Sequence, residues 1–443
     1  MPCVHNTTFY QEIQGFSFDR AEFDPFSNKT IYYYTSNIKA SEVACPRCGG
    51  KAHIKDSYTT FLKDMPYWPG EALFLALRHN RYLCTECGQT FTEKLPVQYP
   101  GTRITERAAR WIKSLLKSGM SVSGVVRNTL IHWDVIRKVH LNYMQDCLRK
   151  RDEEWKATGY KPEYLAVDEF AIHKRHKYAT CVIDLVKGDI IWVGKGRSME
   201  DFSHFFEEID KDFLSEVKAV AMDMNASYNR LFEEHLPASC IVYDRYHIQA
   251  DYGRSVLGVV RLREAREHKF RAQQLKDMTS HLTDPYQTAV LKKRVKDETS
   301  VYSAVKHARW LLLMRSANLK EEQQEALNGI LAAHSDISVC YGMKEEMTRL
   351  FGLRDTQEAQ IGWTAWFGAA KSSEIEELVK FGKNKEKRLP GLIAHAAHPI
   401  STGRLEGINN KIKVAKRIGY GYRDDNYFFT LIKYLSLSSP EKS

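Results

Sequence analysis

The chain has 443 residues, enough for two to four domains at about 100–200 residues each. Hydrophobic residues make up 43% and aromatic residues 12%, which excludes a disordered chain and supplies apolar surface for several cores. Lys and Arg number 65 against 55 Asp and Glu, a formal net charge of +10 that leaves a polyanionic partner and an ordinary basic enzyme equally open.

No run approaches the roughly 18–20 apolar residues of a membrane span. The start, Met1-Pro2-Cys3-Val4-His5, lacks the basic and then apolar run of a secretory signal. Nine cysteines are too sparse for a disulfide scaffold, and four of them fall in two Cys-x-x-Cys pairs. The expectation is an intracellular, cytoplasmic chain without a membrane partner.

In chain order, residues 1–40 carry Phe16, Phe18, Phe23, Phe26, Tyr32, Tyr33 and Tyr34 with weak periodicity, and read as an arm. Residues 41–95 contain the cysteine pairs. Apolar positions Ala108, Trp111, Ile112 and Leu115 begin a helical stretch over 100–150, punctuated by Gly119 and by Asn128-Thr129. The charged run Arg149 to Glu154 reads as a linker. From Tyr164 the period becomes that of strands. Runs at 164–167, 177–183, 189–193, 217–222 and 240–243, with helices at 199–213 and 226–236, give the order strand-strand-strand-helix-strand-helix-strand. That order implies a mixed sheet with helices on its faces, so the fold class is multidomain α/β. Residues 250–397 show no strand pattern and read as a helical insertion, with Trp310, Trp363 and Trp366 packed in its core. Arg254, Arg261, Arg263, Arg266, Lys269, Arg271 and Lys276 crowd one stretch of it, either as a solvated helix face or as a DNA contact. A basic helix, the Gly419-Tyr420-Gly421-Tyr422 turn and an aromatic helix close the chain over 398–438.

Cys45-Pro46-Arg47-Cys48-Gly49 and Cys84-Thr85-Glu86-Cys87-Gly88 are two copies of one knuckle. Two thiolates at this spacing share a tetrahedral metal, and the glycine permits the turn that aims both sulfurs inward. Cys45, Cys48, Cys84 and Cys87 therefore form a structural zinc site in a ribbon of hairpins. His53 and His79 read as surface residues. Arg47, Lys51, Lys55, Arg78 and Arg81, with Arg103, Arg107 and Arg110, suggest a phosphate-facing surface. The helices that follow have the size of a helix-turn-helix unit, with 131–140 as its recognition helix.

Three acids stand where burial is costly unless a carboxylate is paired or bound to metal. Asp168 follows the apolar run Leu165-Ala166-Val167, Asp223 follows Ala221-Met222, and Glu406 is the lone acid among Arg404, Lys411, Lys413, Lys416 and Arg417. Converging carboxylates can hold a pair of Mg²⁺ (or Mn²⁺) ions about 3.5–4 Å apart for in-line displacement at phosphorus. A single strand-end Asp is more often a turn or helix N-cap residue than a ligand, and Asp223 in particular precedes the helix beginning near Ala226 and could cap it. The cations around Glu406 would contact a DNA backbone.

Val167-Asp168-Glu169-Phe170, Met222-Asp223-Met224, Tyr243-Asp244-Arg245-Tyr246-His247 and Arg404-Leu405-Glu406-Gly407-Ile408-Asn409-Asn410-Lys411-Ile412-Lys413 resemble the signature blocks of bacterial insertion-sequence transposases of the ISL-three family. Arg417-Ile418-Gly419-Tyr420-Gly421-Tyr422 fits as well, and so does the paired-knuckle start. Where the family's block usually reads Ser-Asn-Gly, this chain has Ser401-Thr402-Gly403. The resemblance implies an RNase-H-like catalytic domain, its first part over 160–249 and its last helices over 398–438, split by the insertion. It carries an Asp-Asp-Glu triad that falls on Asp168, Asp223 and Glu406. Asp244 rivals Asp223 as second ligand, or with His247 positions DNA or supports the ligands. The implied activity is metal-dependent cleavage and strand transfer at the terminal inverted repeats of an element. Its partners are double-stranded DNA (element ends and target) and a second copy, in a dimer or larger synaptic assembly at the nucleoid. A non-catalytic DNA-binding regulator and a nuclease that cuts without joining are the alternatives.

Overall fold

A computed structural model of the chain describes residues 12–68, 70–173 and 177–437. The first part of the arm (1–11) and the final residue of the closing segment (438) lie outside the described residues. The described chain divides into two compact units: residues 12–154 with Val414–Tyr434, and residues 155–413 with 435–437.

The first unit opens with a sheet. Strands β1 (Phe16–Asp24), β2 (Lys29–Ser36), β3 (Ala52–Asp64), β4 (Ala72–Cys84) and β5 (Thr90–Thr92) are ordered β1-β2-β4-β3, with β5 on β4. Residues 16–36, which the sequence presents only as an arm, form an antiparallel hairpin. In β2 Thr30, Tyr32 and Tyr34 point inward, but the intervening Ile31 and Tyr33 are also apolar, so the alternation is hidden in the sequence. Phe16, Tyr32 and Tyr34 meet Leu62, Leu73, Leu75 and Leu77 in the sheet's core.

Three helices follow: α1 (Glu106–Lys117), α2 (Val122–Thr129) and α3 (Trp133–Thr158). The hydroxyls of Thr105 and Ser121 cap the first two. Ala108, Ile112, Val125, Ile136 and Val139 make their shared core. The run 149–154, read as a linker, lies inside α3. It contains no Gly or Pro to stop a helix, and Arg149 pairs with Asp146 (3.2 Å) and Glu153 (2.9 Å) on the helix surface.

In the second unit, β6 (Tyr164–His173), β7 (Lys177–Asp184), β8 (Ile190–Lys195), α4 (Met199–Glu208), β9 (Ala219–Met222), α5 (Ala226–His235) and β10 (Cys240–Tyr243) follow the expected order. The sheet runs β10-β9-β6-β7-β8, antiparallel through β6, β7 and β8 and parallel through β6, β9 and β10. On one face Leu165, Val167, Val182, Val220 and Met222 pack with Trp192, Phe202, Phe205 and Phe232.

The segment after β10 is helical, with no strand among its described residues. It comprises α6 (Arg245–Tyr252), α7 (Gly258–Ser280), α8 (Pro285–His307), α9 (Arg309–Leu313), α10 (Glu321–Ala333), α11 (Ser335–Leu350), α12 (Thr356–Lys371), α13 (Glu376–Glu386) and α14 (Leu389–Ala397). Trp363 and Trp366 are buried in its core. Trp310 is not: it is 72% exposed on the short α9, with the Arg309 guanidinium over its ring, so helical spacing misled there. Helix α14 lies tightly on β10, since a Cβ on Gly391 would come within 2.4 Å of the Tyr243 ring. The chain closes with α15 (Gly403–Ile418) and α16 (Asp425–Ser436). Within the first unit, residues of its Val414–Tyr434 part meet α3: Arg137 pairs with Asp424, and His140 Nδ1 lies 2.6 Å from the Tyr427 hydroxyl.

Candidate active site and cysteine cluster

Strand register brings three acids into one row. Ala166 of β6 pairs with Ala221 of β9, so Asp168 and Asp223, each two residues further on, share a row and a face. Tyr243 of β10 pairs with Met222, which adds Asp244 to the same row. Asp168 does not end its strand, as the sequence suggested. It is the fifth residue of β6, opposite Cys181 of β7, because β6 continues beyond its parallel neighbour.

The three acids differ in surroundings. Asp168 is half-buried, and burial raises its carboxyl above the usual range. The Glu169 N–H donates to its Oδ1 (2.8 Å) and Asn409 Nδ2 to its Oδ2 (2.8 Å), and both oppose that rise. The charge of His247 also lowers it, while that of Asp223 raises it. Asp223 is exposed, with Oδ2 3.9 Å from His247 Nδ1. It does not cap α5, where Asn225 accepts from the Ser227 N–H instead. Asp244, 2% exposed, is the residue that caps a helix: it accepts the Tyr246 N–H at 2.9 Å at the start of α6.

Glu406 lies in the first turn of α15, exposed and without a side-chain partner among the described residues. Asn409, one turn on, shares its side of the helix and reaches Asp168. Asn409 Oδ1 is buried and has no hydrogen-bond partner, which leaves an unsatisfied acceptor beside the carboxylate. In the sequence Asn409 is marked only by its i+3 spacing from Glu406. Glu169, marked there only by its place beside Asp168, has a carboxyl that burial raises and that accepts the Tyr228 hydroxyl at 3.0 Å.

The cations of α15 divide. Arg404 donates to the Val186 carbonyl (2.9 Å) in the β7–β8 turn, and Lys411 to the Leu435 carbonyl (3.2 Å). Lys416 is partly buried, which lowers its ammonium from the usual range. Lys413 and Arg417 are exposed and make no ion pair among the described residues.

In the first unit the four cysteines come together. One ligand atom from each of Cys45, Cys48, Cys84 and Cys87 lies within 4.8 Å of the others. Among the described residues this is the one group of three or more metal-ligating side chains gathered so closely; the three carboxylates are not. The knuckles are equivalent: Gly49 and Gly88 both take positive φ (74° and 69°) and return N–H bonds to the Cys45 and Cys84 carbonyls. The Cys87 N–H helps bring the Cys84 thiol down to about 7. Nearby, His53 is exposed, but His79 is 2% exposed, its Nε2 2.9 Å from the Thr60 hydroxyl, because it faces inward from the central strand β4. Arg81 pairs with Asp56, and Arg107 holds the buried Asp64 at 2.7 Å, so neither guanidinium is free for a phosphate.

A mixed sheet bearing a row of carboxylates, interrupted by a helical insertion before the last acid, is the arrangement expected of a DDE transposase. The family model of ISL3-type DDE transposases matches residues 165–432, and the chain belongs to that family. It is a transposase of an insertion sequence element. The transposase for insertion sequence element IS1001 of Bordetella parapertussis is 31% identical over 421 residues, 95% of each chain. The transposase for insertion sequence element IS1557 of Mycobacterium tuberculosis is 22% identical over 270 residues, 60% of this chain and 58% of that one.

Proposed function

We propose that Asp168, Asp223 and Glu406 form the catalytic triad of an RNase-H-like domain that cuts element ends and joins them to target DNA. The observation that carries this reading is the Asn409–Asp168 hydrogen bond, which fastens the α15 side bearing Glu406 to the strand row that holds Asp168 and Asp223. Oxygen-rich side chains and the unsatisfied buried Asn409 Oδ1 suit a hard divalent cation. Bound there, Mg²⁺ or Mn²⁺ would supply Lewis-acid stabilisation of charge at the phosphoryl group and its leaving oxygen. Asp168, Asp223 and Glu406 would hold the cations. Asn409 keeps the Asp168 carboxylate oriented.

In the first step a water oxygen gives up a proton as it attacks the phosphorus at the element end, the P–O3′ bond breaks, and the departing 3′-oxygen takes up a proton, leaving the phosphate on the flanking strand. The exposed 3′-hydroxyl then gives up its proton and attacks a target phosphodiester, forming one P–O3′ bond as the target's own P–O3′ bond breaks and its released 3′-oxygen takes up a proton. Asp244 stays in a supporting role as the α6 cap, and His247 screens Asp223.

The four cysteines would hold a structural Zn²⁺ in a zinc ribbon, and α2 with the start of α3 would serve as a helix-turn-helix for the terminal repeats. Lys413 and Arg417 are the α15 cations left to meet phosphates. The assembly would be a dimer or larger synaptic complex at the nucleoid.

The test is incubation of the protein with candidate element ends and Mg²⁺, scoring nicked and joined products. Chelation and Glu406→Gln should each abolish both. Cleavage that survives both refutes the assignment, and joining of a pre-cut end separates a transposase from a nuclease.

A further inference from the structure

Helices α7 and α8 form an antiparallel hairpin that leaves the insertion's core. Arg261 reaches the Val305 carbonyl (3.4 Å) and His268 Nδ1 lies 2.6 Å from Glu298, which sets the register along the seam. Ala265 and Ala272 are buried on the α7 side and Val305 on the α8 side. Beyond that seam the hairpin has little to rest on. No side chain from 273 to 304 is buried, and Phe270, Met278 and Tyr286 are largely exposed. A segment so poorly covered by its own protein needs another reason to project.

Its charge supplies one. Between Gly258 and His307 eleven Lys and Arg stand against six Asp and Glu, which is half of the chain's net charge of +10. Some of these cations are already committed. Arg263 pairs with Asp336 (2.6 Å) and Glu377 (2.8 Å), and Arg271 lies 3.4 Å from Glu267. Arg266, Lys269, Lys276, Lys292 and Lys296 are all exposed and have no ion pair or hydrogen bond among the described residues. Helical spacing gathers them. Taking the seam positions Ala265, His268 and Ala272 as the front of α7, Arg266, Lys269 and Lys276 fall on one flank. In the antiparallel α8, with Glu298 and Val305 as its front, Lys292 falls toward the same flank, and Lys296, one turn on, points to the outer side of the helix away from the seam. Glu267, Arg271 and Asp297 fall on the opposite flank, Glu298 is in the seam, and Glu264 faces His334 at 3.3 Å, while Asp277 shares the cationic flank and accepts Gln273 Nε2 at 2.9 Å. The result is a flank of four cations, three on α7 and Lys292 on α8, with Lys296 at its outer edge, on two helices whose axes pack about 8–10 Å apart. The α7 row runs about 15 Å, from Arg266 to Lys276. These dimensions match successive backbone phosphates on both sides of a duplex groove, whose major form is about 12 Å wide.

We propose that the α7–α8 hairpin is a DNA arm that grips the duplex backbone through Arg266, Lys269, Lys276, Lys292 and Lys296, without reading sequence. This rests on the transposase's use of DNA, but not on the identity of its catalytic triad.

The experiment measures binding of the full chain to a duplex of arbitrary sequence of about 40 base pairs, between about 50 and 200 mM salt. One variant changes all five residues to Gln. A control variant changes five exposed lysines elsewhere, Lys211, Lys320, Lys380, Lys383 and Lys387, so that the loss of net charge is equal. Each phosphate contact adds about 0.9 to the slope of log K against log salt, so the arm variant should lose about 4 in slope and more than tenfold in affinity. The control should keep its slope. Equal slopes for the arm variant and the unmodified protein overturn the proposal. So does an unchanged DNA affinity accompanied by loss of self-association in light scattering, which would assign the face to a second copy. Failure of the catalytic assignment would show instead as end cleavage that survives Glu406→Gln, a readout independent of this slope.

Discussion

Removing metal from the cysteine cluster should loosen one end of the first sheet and leave the other end intact. The Sγ atoms of Cys45 and Cys87 lie 3.7 Å apart, and those of Cys48 and Cys84 3.5 Å. A tetrahedral zinc with bonds of about 2.3 Å requires sulfurs about 3.8 Å apart, so the thiols already stand near the required edges. The β3–β4 ladder runs from Ala52↔Cys84 at this end to Asp64↔Leu73 at the other. The apolar core lies toward the second end, with Leu62, Leu73, Leu75 and Leu77. At the cysteine end Tyr82 stacks on Phe91, ring centres 5.6 Å apart, a contact worth about 3 kcal/mol. A structural zinc contributes about 10–16 kcal/mol. With metal, this end should open only with the whole sheet. After chelation it should open locally at about 3 kcal/mol, a protection factor of roughly 10². Hydrogen exchange of the Cys45, Gly49, Cys84 and Gly88 amides, all bonded within the knuckles, reads this directly. Amides near Tyr34 and Leu75 should keep their protection, and Cys84→Ser should reproduce the pattern. Knuckle exchange indifferent to chelator, or equal loss at both ends of the ladder, would refute the reasoning.

Asn409→Ala removes a charge-assisted donor worth about 1.5–3 kcal/mol from Asp168, and should weaken Mn²⁺ binding and cut end cleavage about tenfold or more. Unchanged Mn²⁺ affinity by titration would show that the bond is incidental. Asp223→Ala should abolish cleavage with little change in melting temperature, since its carboxylate is exposed, whereas Asp244→Ala should cost about 1–2 kcal/mol of stability by removing the α6 cap. Calorimetry and cleavage assays on the pair would reverse this assignment if the effects were exchanged. Burial lowers His140 from 6.5 to about 4. The unfolded chain therefore takes up a proton below pH 6.5 that the folded one refuses until about pH 4. Stability held above pH 6.5 is lost as the pH falls across that window. Denaturant titrations of His140→Phe should show an acid loss smaller by about 3 kcal/mol.

The sheet of the second unit was legible because its strands are short, apolar and separated by turn signals, and because each acid ends or follows a recognisable run. The knuckles were legible from spacing alone. What escaped had physical causes. Tyr32 and Tyr34 alternate inward through neighbours that are themselves apolar, so no period-2 pattern marks β2. Helix α3 continues through 149–154 because charges at i, i+3 and i+4 support a helix as readily as they suggest a linker. Asp223 and Asp244 look alike in sequence, each closing a buried strand. Only burial and the following helix start distinguish the exposed Asp223 from the cap Asp244. Asn409 was hidden because its role depends on a partner 241 residues away.

The seat of α14 on β10 bears on how the insertion is mounted. Asp244 starts α6 one residue after β10 ends, and at the far end of the insertion Gly391 lets α14 press against Tyr243 of that same strand. The insertion is thus a bracket with both feet bolted to one strand, the immediate neighbour of the strand that precedes Asp223. A pull applied far out along the bracket arrives at β10 as a torque and passes to β9 through four paired positions. In this chain the lever and the carboxylate row share a fulcrum.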